Sequence, residues 1–222
     1  MVNEIILVGV GHVFRLGEKI KEIISIEEPD AIALELDTFR AHALLNRSEK
    51  QKRKMQKDPL YFLLALSQDI IAKKFNVVAG DEMLAAMKYA MEKDIPVYYI
   101  DMDVRKVMEN LRRALSFKKK LSLLCSLLLS LFIRKKDVEN EIKKIESEEE
   151  YFLKVLEREY PEIKNILIDK RNEFMVERLK EIMKYYDKIV VIVGEGHIYG
   201  MQTLLNDASI SVKTIHLKDL LT

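Results

Sequence analysis

Only one cysteine, Cys125, occurs in the 222 residues. That excludes an intrachain disulfide and a cysteine-rich zinc or iron–sulfur centre, and it fits a reducing compartment. A surplus of one charge sign is missing too. With 37 Lys and Arg against 36 Asp and Glu, the formal net charge is +1, so no global field draws nucleic acid or a membrane. The first residues carry Glu4 and no basic stretch ahead of the apolar run. They do not read as a signal peptide, and a cytoplasmic location is the expectation. Glycine is scarce, with seven in the chain, and neither GxxxxGK[ST] nor GxGxxG is present, which argues against a phosphate cradle. HExxH is absent as well, so any metal ligands must converge from separate elements.

What is present is globular in character: 49% hydrophobic and 33% charged residues. A chain of this size buries about 70% of its unfolded surface, enough for one sizeable core. Apolar runs rich in Val and Ile at Glu4–Val10 (EIILVGV), 31–36 (AIALEL), 96–101 (PVYYID) and 189–193 (IVVIV) predict strands, with a weaker fifth at 212–216. The runs are continuous rather than alternating, which suits a parallel sheet covered on both faces. Helical spacing of Ile20, Ile23 and Ile24 up to Pro29, and an acidic start and Lys finish at 81–93, place helices between the strands. The fold class is therefore α/β, a mostly parallel sheet flanked by helices. No strand pattern occurs over 104–187, which reads as a large helical insertion within a core made of 1–103 and 188–222. Inside it, residues 121–133 are the most apolar stretch, flanked by Lys118–Lys120 and Arg134–Lys136. Thirteen residues span only about 20 Å of helix against a hydrocarbon core of roughly 30 Å. The expectation is a buried or homo-oligomer (dimer) interface helix, with peripheral membrane contact through 118–136 as the second reading. The acidic run 146–150 reads as a solvated helix face.

One pentapeptide occurs twice, Val8-Gly9-Val10-Gly11-His12 and Val193-Gly194-Glu195-Gly196-His197, each after a predicted strand. Four of the seven glycines fall in these copies. Glycine lets a chain turn sharply and approach a ligand as it leaves a sheet, which delivers His12 and His197 to the strand ends where ligands of open α/β sheets bind. Glu35, inside AIALEL, is costly to bury unless it ligates, catalyses or pairs with a cation such as Arg40. Asp37 reads as an N-cap with Arg40 one turn in, and Asp101 brings a further carboxylate to the same sheet edge. Asp103 reads as the cap of the next helix.

GVGH, EEPDAIALELDTFR, GDEMLAAMKYA, IPVYYIDMD, KRNEFM and VVIVGEGHIYG together resemble the TraB/PrgY family, which is related to the Tiki metalloproteases. The resemblance covers roughly 5–105 and 168–205. It implies roles for the two motif histidines, His12 and His197, for Glu35 and Arg40 of ELDxxR, and for Arg171 near the distal helix. Two positions depart from the family pattern: Val10 stands where Thr is common, and Met102 replaces the central arginine of a DRD-like turn, with Arg105 three residues on. Membrane helices that many relatives carry are not carried over.

Two imidazoles and a carboxylate suit Zn, Mn, Co or Fe. The resemblance thus implies a metal-dependent hydrolase of peptide or related amide bonds, with His12, His197 and Glu35 as metal ligands and Glu35, Arg40, Arg171 and Asp101 in catalytic roles. The alternative is a non-catalytic protein that holds a peptide, a metal or haem in the same cleft and signals through a partner. A third reading makes the helical insertion an assembly surface on an inactive core.

Overall fold

Strand β1 (Glu4–Val10) is apolar at nearly every position, and a strand with no polar side can only sit in the middle of a covered sheet. In the computed structural model, which describes residues 4–11, 14, 16–46, 80–114, 157–158, 160–208 and 210–221, that is its place. The sheet has five strands, β1, β2 (Ala31–Leu34), β3 (Val97–Tyr99), β4 (Lys188–Gly194) and β5 (Ser211–Ile215). Their order is β3-β2-β4-β1-β5, and every pairing is parallel. All five expected strands are present. β2 stops at Leu34 rather than Leu36, where the Leu36 N–H turns back onto the Leu34 carbonyl at 2.7 Å.

The pleat splits the strand residues between two layers. Ile6, Val8, Val10, Ile32, Leu34, Val190 and Ile192 face helices α1 (Gly17–Glu27) and α3 (Asp81–Lys93), together with Ala41 of α2 (Thr38–Asn46). Ile5, Leu7, Ala33, Ile189, Val191 and Val193 face the other way. Most of these side chains are fully buried, each contributing about 1.5–3 kcal/mol of transfer free energy.

Helix ends follow their local sequence. α1 stops at Glu28, whose left-handed φ of 45° lets its N–H reach the Ile24 carbonyl, and Pro29 prevents continuation. α3 closes in the same way at Asp94, φ 56°. Helix α4 (Val104–Ala114) begins where Asp103 accepts the Arg105 N–H at 2.9 Å, the expected N-cap.

Among the described residues between β3 and β4 every element is helical. A short α5 (Pro161–Lys164) runs through a π-helical turn (Asn165–Asp169) into α6 (Lys170–Ile182). α4, α5 and the π turn form a small cluster around Val107, Leu111, Ile163 and Ile166. α6 instead packs Met175, Val176, Leu179 and Ile182 on the sheet beside α7 (Glu195–Asp207). The residues grouped from sequence as the 104–187 insertion therefore include a helix of the main core. A last helix, α8 (Leu217–Leu221), sits over β1. The apolar stretch 121–133 and its flanks lie outside the described residues. No described helix is long and apolar enough to cross a membrane.

Candidate functional site at the carboxyl edge of the sheet

Parallel strands end on one edge, and here the edge collects the charged residues that the strand sequences cannot bury elsewhere. Glu35 follows β2 directly, with its N–H on the Ile192 carbonyl of β4 at 3.0 Å. Its Oε2 accepts the Gly194 N–H at 2.6 Å, and its Oε1 accepts Arg171 Nη2. Oε1 also lies 3.4 Å from His197 Nε2. His197, on the first turn of α7, is 4% exposed. Its Nδ1 lies 2.6 Å from Asn172 Oδ1, which turns Nε2 toward Glu35.

A second carboxylate, Asp101 after β3, ties this pair to two guanidiniums. Arg171 Nε donates to Asp101 Oδ1 at 2.9 Å and Nη2 to Oδ2 at 2.7 Å, a forked pair. Arg40 Nη2 donates to the same Oδ2. Asp37 caps α2 by accepting the Arg40 N–H at 2.9 Å, and takes Arg40 Nε at 2.7 Å. It also accepts the Val104 N–H at 3.3 Å, which joins the start of α4 to the start of α2. Glu35, Asp101, Arg40, Arg171 and His197 are thus brought together, from five separate segments. His12 lies outside the described residues.

The cation beside Glu35 is not the Arg40 that its sequence neighbourhood suggested. Arg40 is occupied by Asp37 and Asp101, and Arg171 of α6 takes its place. The π turn helps to set that arginine. Its looser backbone leaves the Leu167 carbonyl to accept Arg171 Nη1 at 3.0 Å, and such turns recur at functional sites.

The electrostatics follow from burial and pairing. Burial pushes the Glu35 carboxyl up. The charges of His197 and Arg171, with the Gly194 N–H, reverse that and hold it well below the usual carboxylate range. Burial likewise opposes the charge on Arg171, but Glu35 and Asp101 raise its affinity for the proton above the ordinary value. Glu35, Asp37 and Asp101 face two guanidiniums, so the network keeps one negative charge in surplus before the imidazole is counted.

An imidazole and a carboxylate are donors of the kind that divalent transition metals take. Two ligands at about 2.1 Å from one ion, at a tetrahedral angle, stand about 3.4 Å apart, the spacing of His197 Nε2 and Glu35 Oε1. Asn172 on the far ring nitrogen is the support that ligating histidines use. Among the described residues no three His, Cys, Asp or Glu side chains form a metal-binding group.

Sequence reasoning passed over Asn172, Glu195 and His216. Asn172 was visible only as the neighbour of Arg171, and Gly200 as a small residue in the distal motif. A Cβ on Gly200 would collide with the Asn172 amide, so the glycine is what lets that amide lie against α7. Glu195 sits inside the second pentapeptide. Its Oε1 pairs with His216 Nδ1 at 2.6 Å, and its Oε2 accepts the Leu217 N–H at 2.8 Å.

Beside Asp101 opens a cleft of about 660 Å³, walled by Thr38, Phe39, His42 and Asn46 of α2, by Tyr99, and by Phe174 and Arg178 of α6. It leads from solvent to the charged network.

These features define an α/β protein with a buried acid–imidazole–guanidinium site at the carboxyl edge of a parallel sheet. The model of the TraB/PrgY/gumN family matches residues 2–214, and the chain belongs to that family. Over 214 residues it is also 33% identical to an uncharacterized protein of Methanocaldococcus jannaschii, an alignment that takes in 90% of this chain and 53% of the relative. The chain therefore spans about half the length of the curated relative it matches.

Proposed function

We propose that the protein is a metal-dependent hydrolase of peptide or related amide bonds. The observation that carries this reading is the pairing of His197 Nε2 with Glu35 Oε1 at 3.4 Å, on an imidazole oriented by Asn172 and beside two guanidiniums. His197, Glu35 and His12 would hold the ion, with Zn, Mn, Co or Fe suited to two imidazoles and a carboxylate. When bound, it would polarise the scissile carbonyl and make water a nucleophile at neutral pH.

The chain's own groups divide the remaining work. Asn172 fixes the tautomer of His197. Arg171 spends its donors on Glu35, Asp101 and the Leu167 carbonyl, so it keeps Glu35 ionised and in place. Arg40 retains Nη1 without a hydrogen bond among the described residues, and its side chain is 28% exposed. Arg40 is therefore the guanidinium able to meet an oxyanion as a substrate carbonyl becomes tetrahedral. Asp101 positions both arginines.

Calorimetric titration with Zn²⁺ or Mn²⁺, in buffers of different ionisation enthalpy, tests the ligand set. Two histidine ligands predict release of up to two protons per ion as pH falls through about 6 to 5, with steeply weakening affinity. Turnover of a peptide library by the loaded protein tests the chemistry. Absence of metal uptake overturns the reading. Uptake with no turnover replaces it with a non-catalytic binding protein.

A further inference from the structure

The cleft beside Asp101 is lined by both carboxylates and guanidiniums. Of its acids, Asp37 and Asp101 are neutralised by Arg40 and Arg171, and Asp103 by Arg105. Arg178, by contrast, has no ion pair or hydrogen bond among the described residues, and neither has the His42 imidazole. Phe174 leaves 40% of its surface exposed on the same wall. The cleft therefore offers a guanidinium that has no ion pair among the described residues, exposed aromatic surface and the polar side chains of Thr38 and Asn46. Arg178 is the one guanidinium of the lining that has no carboxylate partner among the described residues, which suits a single anionic group.

Helix geometry fixes the distance of that group from the chemistry. Positions 171, 174 and 178 of α6 are spaced three and seven residues apart and share one face. Arg171 sits in the buried network, Phe174 is one turn on, and Arg178 is two turns on. Seven residues of helix rise about 10 Å, the length of about three extended peptide residues at roughly 3.4 Å each.

We propose that this cleft binds the carboxyl-terminal end of a peptide, with the free α-carboxylate on Arg178, a large apolar or aromatic side chain against Phe174 and Tyr99, and the third residue from the end at Asp101, which Arg171 joins to the buried Glu35–His197 pair. The proposal rests on the hydrolase reading only for what happens to the bond at the inner end. If that bond is cleaved, water adds its hydroxyl to the carbonyl carbon and a proton to the departing amine, and a tripeptide leaves through the cleft.

The test uses the tripeptide Ala-Ala-Phe, which offers no further bond at the inner end, and its carboxyl-terminal amide. Each is titrated calorimetrically into the full chain as purified. The free acid binds at least tenfold tighter than the amide, and the preference shrinks as salt rises. Arg178→Gln, on an exposed helix position, brings the ratio to about one. Phe174→Ala weakens both ligands by the same factor. Equal affinities in the wild type, no binding of either, or a ratio that Arg178→Gln does not move each overturn the proposal. A heptapeptide ending in Ala-Ala-Phe, incubated with the Zn²⁺- or Mn²⁺-loaded protein, separates this from the hydrolase reading. Acid preference without cleavage leaves the cleft assignment standing and sinks the hydrolase. Cleavage at equal rates for acid and amide does the reverse.

Discussion

The two copies of the pentapeptide leave the sheet side by side, with Val10 opposite Gly194 in register, yet their glycines serve different ends. In the first copy they make space. A Cβ on Gly9 would run into the Glu195 carboxylate and come within 3.1 Å of Ile198 Cγ1, and one on Gly11 would stand 2.8 Å from Leu217 Cδ2. In the second copy the chain turns into α7 at once. The Gly194 N–H points at Glu35, and the position of a Cβ on Gly196 is open, with nothing within 4 Å. The first copy is thus packed by the second, whose Glu195 fills the room above Gly9. Identical residues in a repeat do not imply identical roles.

The largest expected effects come from the carboxylates at the two ends of this arrangement. Glu35→Gln keeps the shape and removes the charge. Turnover is expected to fall by at least about 100-fold. The fold loses on the order of 3 kcal/mol, because buried Arg171 is left with Asp101 alone. Glu195→Gln keeps an acceptor for the Leu217 N–H and costs about 1 kcal/mol, with turnover intact. Parallel assays of activity and thermal unfolding decide. If Glu195→Gln silences the protein as fully as Glu35→Gln, the packing around Gly9 serves the chemistry as directly as the Gly194–Glu35 contact does, and the contrast between the glycines of the two copies fails.

Asn172→Ala comes next. It frees the His197 ring and should weaken metal binding by about 10–100-fold, as loss of an outer hydrogen bond does at other metal sites. Gly200→Ala displaces the same amide and should follow it in direction. An unaltered metal isotherm for both variants would mean that the imidazole needs no such support.

Gly9→Ala sharpens the comparison from the packing side. The added methyl group meets a carboxylate held by Leu217 and His216 rather than a free side chain, so the cost is about 1–3 kcal/mol. Acid unfolding offers a milder test of the other copy. The Glu35 carboxyl is held below its ordinary value of 4.5 in the folded state. Its contribution is complete above that value and is lost as pH falls through the lower, folded one. The stability gap between wild type and Glu35→Gln should therefore narrow as pH drops from about 5 toward 3. A gap that stays constant would place the effect in packing rather than charge.

Much of this was legible because strands and caps announce themselves locally. Continuous Val and Ile runs gave the five strands, Pro29 and Lys93 gave helix ends, and a glutamate in AIALEL could not be an ordinary core residue. What was not legible depends on partners distant in sequence. Nothing near Glu35 shows that Arg171, 136 positions away, is its cation rather than Arg40, five positions on. Asn172 lies in a charged helix whose pattern gives its outer and inner polar residues the same appearance. The π turn at Asn165–Asp169 has no residue signature, since NILID reads as ordinary helix. Glu195 stands between the glycines of its own motif, and its partners His216 and Leu217 lie 21 and 22 positions away.

The smallest expected effect is at Gly196, and it tests what the open space there is for. Gly196 is the second residue of α7, with a backbone conformation that any L-residue adopts and free volume around its Cα. Replacing it by Ala lowers the entropy of the unfolded chain without a clash, so stability should rise by about 0.4–1 kcal/mol, a shift of about 1–4 °C in Tm. If the space is merely unfilled, metal binding and turnover stay as they were. If it is where the ion's remaining ligands or the substrate backbone must pass, the same variant is more stable yet loses affinity, because a methyl group now occupies the approach to His197. A less stable Gly196→Ala would show that the second copy, like the first, is packed tightly around its glycines, and the distinction between the two copies would collapse.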